Sequence, residues 1–222
     1  MTTLQLADNI FPSLRPGDTV AKALELMAEF KTNFLPVVSE EKYLGLIKED
    51  SIIEEENKEE TTLDKFQENL SVVAVNAASH FLKAANIANL YGANVIPVVN
   101  ENNEMLGTIS AGALLTSLGN FCGSDEYGAL IVLEMERVRL SLSEINSIVE
   151  SDGASILHLN VSPHTAVPEV VEVTLQLNTR EIAAIIASFE RHEYHIAYYH
   201  GEELFESEIS ANYNNLMNYL DI

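Results

Sequence analysis

Asn33-Phe34-Leu35-Pro36-Val37-Val38 and Asn94-Val95-Ile96-Pro97-Val98-Val99 are two versions of one stretch, set 61 positions apart. Each runs on through a polar turn into a second apolar strand. In the first copy Glu40-Glu41-Lys42 leads to Tyr43-Leu44-Gly45-Leu46-Ile47, and in the second Asn100 to Glu104 leads to Met105-Leu106-Gly107-Thr108-Ile109. One extra turn residue in the second copy puts the glycines 62 apart. Upstream, Val20, Ala23, Leu24, Met27 and Ala28 match Phe81, Ala84, Ala85, Ala88 and Asn89 at helical spacing, which predicts a helix in each copy. Asp18 or Thr19, and Ser79, are the cap candidates. A short extended stretch precedes each helix, Phe11 to Leu14 and Val72 to Val75, and an apolar helical turn follows each second strand, around Ile52-Ile53 and Leu114-Leu115-Leu118. Each copy therefore reads β-α-β-β-α, and agreement in element order, helix face, turn and glycine identifies a duplication. A unit of roughly 50–60 residues buries its apolar face poorly alone, so the copies are expected to pack together and form clefts between them. The proline inside each strand suggests a strand start or sheet edge.

The bulk composition narrows the function. The net charge is -22, with 17 Asp/Glu against 8 Lys/Arg in residues 1–120 and 17 against 4 in residues 121–222. Both halves repel phosphate backbones and anionic lipid, so neither nucleic acid nor a membrane is an expected partner. No apolar run reaches the length of a membrane span and Met1 to Pro16 has no leader pattern, which leads to the expectation of a soluble, cytoplasmic protein. Cys122, the single cysteine, reads as a structural thiol.

The duplicated unit resembles a tandem pair of CBS domains, a Bateman module, over about residues 4 to 120, with repeats at 1–60 and 61–122. The resemblance implies a regulatory protein that binds an adenosine-containing ligand such as AMP, ATP or S-adenosylmethionine between the repeats, acts on a partner protein and associates as a homodimer. The family's ribose signature is glycine, two apolar positions, Ser or Thr, two further positions, then Asp. Here Gly45-Leu46-Ile47-Lys48-Glu49-Asp50-Ser51 has Lys48 at the hydroxyl position and Ser51 at the acid position. Gly107-Thr108-Ile109-Ser110-Ala111-Gly112-Ala113 keeps Ser110 but has Ala113 for the acid. Loss of a charged acceptor removes about 1.5–3 kcal/mol without abolishing binding. The candidate ligand cleft accordingly comprises Asn33, Leu35, Pro36 and Lys48 from the first copy with Asn94, Ile96, Pro97 and Ser110 from the second. Lys48 reads as a phosphate contact or an ordinary surface lysine, and Asn33 and Asn94 as base contacts or strand-entry caps. Glu54 to Glu60 reads as a solvated linker.

After Gly119 to Ser124 the pattern changes. Ala129 to Met135 predicts a strand, Leu142, Ile145, Ile148 and Val149 a helical face, Ala154 to Ser162 a strand, Pro163 to Pro168 a turn, Val170 to Leu177 a strand, Arg180 to Arg191 a helix and Tyr194 to Tyr199 a strand. The order β-α-β-β-α-β is ferredoxin-like, so the chain as a whole is α/β (α+β). A ferredoxin-like unit at 123–222 following a CBS pair resembles an ACT domain, a sensing module, although Leu140 stands where that family places a glycine. The whole resembles standalone CBS-domain regulatory proteins of the acetoin-utilisation type. Arg137 and Arg139 are candidates for a bound carboxylate or for pairing with acidic neighbours. His192, His195 and His200 lack metal-ligand spacing and His158 alternates away from the core, so no metal site is expected. No catalytic motif is present, and the expected function is sensing, with a protein-interaction module as the alternative. Tyr213, Leu216, Met217 and Leu220 form one stripe in the tail, suited to docking in cis or across a dimer.

Overall fold

A computed structural model describes residues 1–124 and 127–201, so the tail stripe lies outside the described residues. The chain divides into two compact units, Met1–Leu118 and Gly119–Ile222.

In the first unit a short helix α1 (Thr3–Leu6) precedes α2 (Val20–Glu29), whose start is capped by Thr19 accepting from the Lys22 N–H. Asp18 serves the preceding turn instead, accepting from the Arg15 N–H at 2.7 Å and from Lys22 Nζ at 2.6 Å. Helix α2 turns Val20, Ala23 and Met27 inward, the face its periodicity predicts. Strands β1 (Phe34–Ser39) and β2 (Lys42–Lys48) form a hairpin. Its turn residues Glu40 and Glu41 have φ of 48° and 70°, a left-handed pair that matches strand twist but usually selects Asn-Gly. In the second copy, β3 (Val75–Asn76), α3 (Leu82–Tyr91), β4 (Val95–Val99), β5 (Met105–Ser110) and α4 (Ala111–Phe121) follow in the expected order. Helix α3 begins after Phe81 with no side-chain cap, so Ser79 is not its cap.

Two elements of the first copy differ from expectation. The stretch Phe11 to Leu14 reduces to one parallel bridge, Leu14 to Val37. The helical turn after β2 is a single 3₁₀ turn, Glu49–Ser51, because Ile52 is buried but Ile53 is exposed and glutamates follow at once. Pro97 is not at a sheet edge, whereas Pro36 lies in β1 of a two-stranded sheet, an edge as expected. Strand β4 lies between β3 and β5, yet β3 begins pairing at Val98, one residue beyond Pro97, so the missing N–H costs no ladder bond there. In the first copy the bridge to Leu14 likewise falls on Val37, one residue past Pro36.

The copies also exchange their lead-in segments. Asp8 and Thr108 trade backbone hydrogen bonds of 2.9 and 2.8 Å, and Ser71 and Leu46 trade two of 2.9 Å. The segment before each copy's first strand therefore pairs with the last strand of the other copy, then crosses to its own sheet at Leu14 or Val75. The repeated glycines stand at these crossings: a Cβ on Gly107 would lie 2.6 Å from the Asp8 carbonyl oxygen, and one on Gly45 would lie 2.8 Å from Leu70 Cβ. Tyr43, buried between the copies, donates its hydroxyl to the Val73 carbonyl at 2.7 Å, and burial pushes its pKa upward. Phe34 and Leu46 of the first copy belong to the second copy's core, with Phe81, Ala84, Ile96, Val98, Ile109 and Leu114.

The second unit is a four-stranded antiparallel sheet of order β7 (Ile156–Pro163), β8 (Val170–Leu177), β6 (Leu130–Glu136), β9 (His195–His200). The chain runs β6, α5 (Leu142–Ser151), β7, β8, α6 (Ala183–Arg191) and β9, which is the ferredoxin-like topology. Val171, Val173, Leu175 and Leu177 are each fully buried, whereas the residues between them are half-buried, as strict alternation requires. Ile145, Ile148 and Val149 of α5 meet Ile185 and Phe189 of α6 in the same core.

Candidate ligand-binding site

Crossing of the lead-ins leaves a cavity of about 1050 Å³ in the first unit, with a lining drawn from both copies. Asn9 and Phe11 to Pro16 form one wall, Val38 to Glu41 a second and Glu104 to Gly107 a third. Phe11, Pro12, Leu14, Val38, Met105 and Leu106 supply apolar surface, and Asn9, Ser13, Arg15 and Ser39 supply polar groups. Arg15 shares the lining with three carboxylates, Glu40, Glu41 and Glu104. Glu104 is held below the usual carboxylate range by the Asn100 side-chain amide at 2.7 Å and by Lys42 at 3.0 Å. At the base of the Arg15 wall, partial desolvation works to raise the Asp18 pKa, but Lys22 and the Arg15 N–H outweigh it and the net shift is downward. An apolar wall with a few convergent polar groups is the usual form of a small-molecule site.

The eight residues singled out from the sequence sit elsewhere, and none is in the lining of this cavity. Leu35 and Ile96 are fully buried, and Pro36 and Pro97 are buried strand residues. Asn94 accepts from the Thr32 hydroxyl at 2.8 Å, joining the two copies at their strand entries. Asn33 is exposed, and its carbonyl accepts from the Glu49 N–H. Ser110 caps α4 by accepting from the Ala113 N–H at 3.0 Å. Lys48 pairs with Asp50 at 2.6 Å and lies 6.0 Å from the Phe34 ring centre, while Ser51 donates back to the Lys48 carbonyl at 2.6 Å. Register places Phe34 opposite Lys48 and Val95 opposite Ser110, so the polar candidates share the strand ends remote from the hairpin turns. Sequence reasoning missed Asn9, Ser13, Arg15 and Ser39. The one signal for them is the turn-rich lead-in containing Pro12 and Pro16, whose position depends on the exchange of segments.

In the second unit Arg139, Glu144, His192, Tyr194 and His195 surround a cavity of about 120 Å³, together with Glu134. Arg139 thus has acidic neighbours, while Arg137 donates its N–H to the Glu169 carbonyl. Burial, followed by the Glu144 carboxylate, pushes the Tyr194 phenol up to about 12. His192 places Nδ1 2.8 Å from the Ser188 carbonyl, and His158 packs its ring on Gly123. His200 is exposed at the end of β9. Cys122 is exposed, which corrects its reading as a structural, half-buried thiol.

Glu134, His164 and Glu172 bring one ligand atom each within 4.8 Å of one another. His164 Nδ1, however, accepts from both the Ala166 and Val167 N–H groups at 3.1 Å, which fixes the neutral ring's proton on Nε2, the nitrogen facing Glu134. That tautomer suits a donor to a carboxylate and lacks the free lone pair a metal needs.

The family model of the CBS domain matches residues 6–58, the first copy of the duplicated unit. Among solved structures, the chain is similar to a CBS domain pair/ACT domain protein from Thermotoga maritima, at 18% identity over 55% of this chain and 98% of that one, with a TM-score of 0.49. It is similar to the CBS domains of a transcriptional regulator from Streptococcus pneumoniae, at 20% identity over 52% and 98%, with a TM-score of 0.46. It is also similar to CBSX2 in complex with AMP, at 19% identity over 54% and 97%, with a TM-score of 0.42. No helix among the described residues is long and apolar enough to cross a membrane.

Proposed function

We propose that Met1–Leu118 is a regulatory module that binds a small metabolite between its two copies and acts, as a homodimer, on a partner protein. The observation that carries this reading is the cavity whose lining comes from both copies, since an occupant there bears on the arrangement of one copy against the other. The match of residues 6–58 to the CBS domain supports the regulatory class and makes AMP, ATP and S-adenosylmethionine the first ligands to try. The ferredoxin-like unit, in the ACT-like reading, supplies a second sensing or dimerising element, and no catalytic role is assigned to either unit.

Thermal-shift and calorimetric titration with AMP, ADP, ATP, S-adenosylmethionine and the common amino acids tests the proposal. Binding of one of these at micromolar to millimolar strength, about -8 to -4 kcal/mol, is expected. Leu106→Trp, which fills the cavity from a partly exposed position, is expected to weaken that binding about tenfold or more. If no compound binds at millimolar concentration, sensing of these ligands is wrong. A specific observation favours the second reading, an interaction module with disused pockets: Ser110, Asn94 and Lys48 all spend their polar atoms on neighbours within the chain. A stoichiometric protein partner, together with failure of every ligand, would select it.

A further inference from the structure

The duplicated copies differ in what they bring to the cavity of the first unit. Leu14 and Val75 hold equivalent places, each paired with the residue after its copy's proline, Val37 or Val98. The next position is Arg15 in the first copy and Asn76 in the second. Asn76 spends its side chain on the turn before α3, accepting from the Ala78 N–H at 2.9 Å. Arg15 is committed to no such contact: among the described residues its guanidinium forms no ion pair, and neither do Glu40 and Glu41, which share the cavity lining with it. Register makes Tyr43 the counterpart of Met105, and Val73 stands where the first lead-in has Pro12. Met105 and Pro12 line the open cavity, whereas the buried Tyr43 is bonded through its hydroxyl to the Val73 carbonyl at 2.7 Å, so a ring of the chain itself fills the equivalent place.

The backbone that carries these charges is held on every wall. Leu14 donates its N–H to the Pro36 carbonyl and accepts from the Val38 N–H, both at 2.8 Å, and the Arg15 N–H donates to Asp18 at 2.7 Å. The Glu41 carbonyl accepts from the Met105 N–H at 3.0 Å, which ties the second wall to the third. Lys42 reaches Glu104 at 3.0 Å and the Asn102 carbonyl at 2.8 Å, so the Glu104 charge is already answered. The lining is left with one free positive group, Arg15, facing the two free carboxylates of Glu40 and Glu41 across the walls. The hairpin itself does not call for that pair, since its left-handed turn usually selects Asn-Gly and adjacent carboxylates repel.

We infer that this cavity takes an α-amino acid bearing a second cationic centre, its carboxylate on Arg15 and its two cationic groups on Glu40 and Glu41, in preference to a phosphorylated nucleotide. The inference rests on the sensing reading above and names the ligand class. A guanidinium matches a carboxylate through two parallel hydrogen bonds. Two cationic groups then answer two carboxylates, and Phe11 and Leu106 offer apolar surface to the carbon chain between the charged ends. A phosphate brings about two negative charges, which Arg15 alone would have to answer against the repulsion of Glu40 and Glu41. Because Asn76 and Tyr43 remove the arrangement from the second copy, each chain has one site of this kind.

Calorimetric titration of the full chain with L-arginine and L-lysine tests this, each set against its uncharged analogue, L-citrulline or L-norleucine, and against AMP and ATP. A basic amino acid is expected to bind about tenfold or more tightly than its analogue and than either nucleotide. Arg15→Gln is expected to weaken that amino acid about tenfold while leaving its decarboxylated amine, agmatine or cadaverine, bound as well as before. Glu40→Gln/Glu41→Gln, at exposed turn positions, is expected to weaken amino acid and amine alike. Leu106→Trp is expected to weaken both, which assigns the binding to this cavity rather than to the second unit. A nucleotide that binds more tightly than the basic amino acids and is lost in Leu106→Trp would overturn the inference and leave the sensing proposal standing. Amino-acid binding indifferent to the charge of the side chain would overturn it as well, and that comparison on the wild type decides even where a variant fails to fold. If no compound binds, both readings fall.

Discussion

Alanine at position 107 is expected to destabilise the first unit by about 2–4 kcal/mol, the sum of overpacking and a left-handed backbone penalty. Gly107 has φ of 151°, and its missing side chain makes room for the Asp8 carbonyl, whose oxygen also accepts the Thr108 N–H. A Cβ 2.6 Å from a backbone oxygen is relieved by moving the lead-in, and moving it breaks the exchanged pair and deforms the cavity wall formed by Asn9 and Phe11 to Pro16. Gly45→Ala is expected to cost a similar amount, because its tightest contact, Leu70 Cβ at 2.8 Å, is fixed by the backbone and the Ser71 carbonyl oxygen follows at 3.2 Å. Urea denaturation followed by far-ultraviolet circular dichroism reads the effect. A loss below about 0.5 kcal/mol for Gly107→Ala would show that the close crossing does not hold in solution.

Phe189→Ala is expected to cost about 3–5 kcal/mol, the usual range for deleting a fully buried ring. Phe189 has no exposed surface, packs edge-on to Tyr194 with ring centres 5.6 Å apart and lies in a core built wholly from residues 129–196. The loss is therefore expected in the second unit. Hydrogen exchange should show faster opening of β6, β8 and α6, with the amides of β4 and β5 protected as in the wild type. Equal loss of protection at Ile96 and Ile109 would contradict the assignment of separate cores.

These two sites also show what the sequence makes legible. Val171, Val173, Leu175 and Leu177 alternate without interruption, so β8 and its inward face can be read directly, and the same holds for the paired Leu-Pro-Val-Val and Ile-Pro-Val-Val strands. The duplication was visible because apolar strand, turn and glycine repeat together. The reason for the glycine is not visible in the sequence: Asp8 and Ser71 are polar residues among mainly apolar neighbours, and nothing local says that each pairs with the sheet of the other copy. The cavity depends on that crossing, which is why the sequence pattern points to Asn33, Lys48, Asn94 and Ser110 while the cavity lies toward the hairpin turns. The missing helix after β2 has a local cause, since two isoleucines followed by Glu54, Glu55 and Glu56 leave no apolar stripe to bury.

Exchange of the lead-in segments is the feature from which the cavity follows, and cross-linking tests it directly. With Cys122 replaced by serine, Asp8→Cys/Thr108→Cys and Leu46→Cys/Ser71→Cys each place cysteines at hydrogen-bonded antiparallel partners, where Cα atoms stand about 5.5 Å apart, within disulfide reach. Mild oxidation is expected to close both pairs within one chain, seen by peptide mass spectrometry and as monomer bands of altered mobility on a non-reducing gel. Folded variants whose cysteines stay free, or that link only between chains, would contradict the exchanged fold and the cavity built on it.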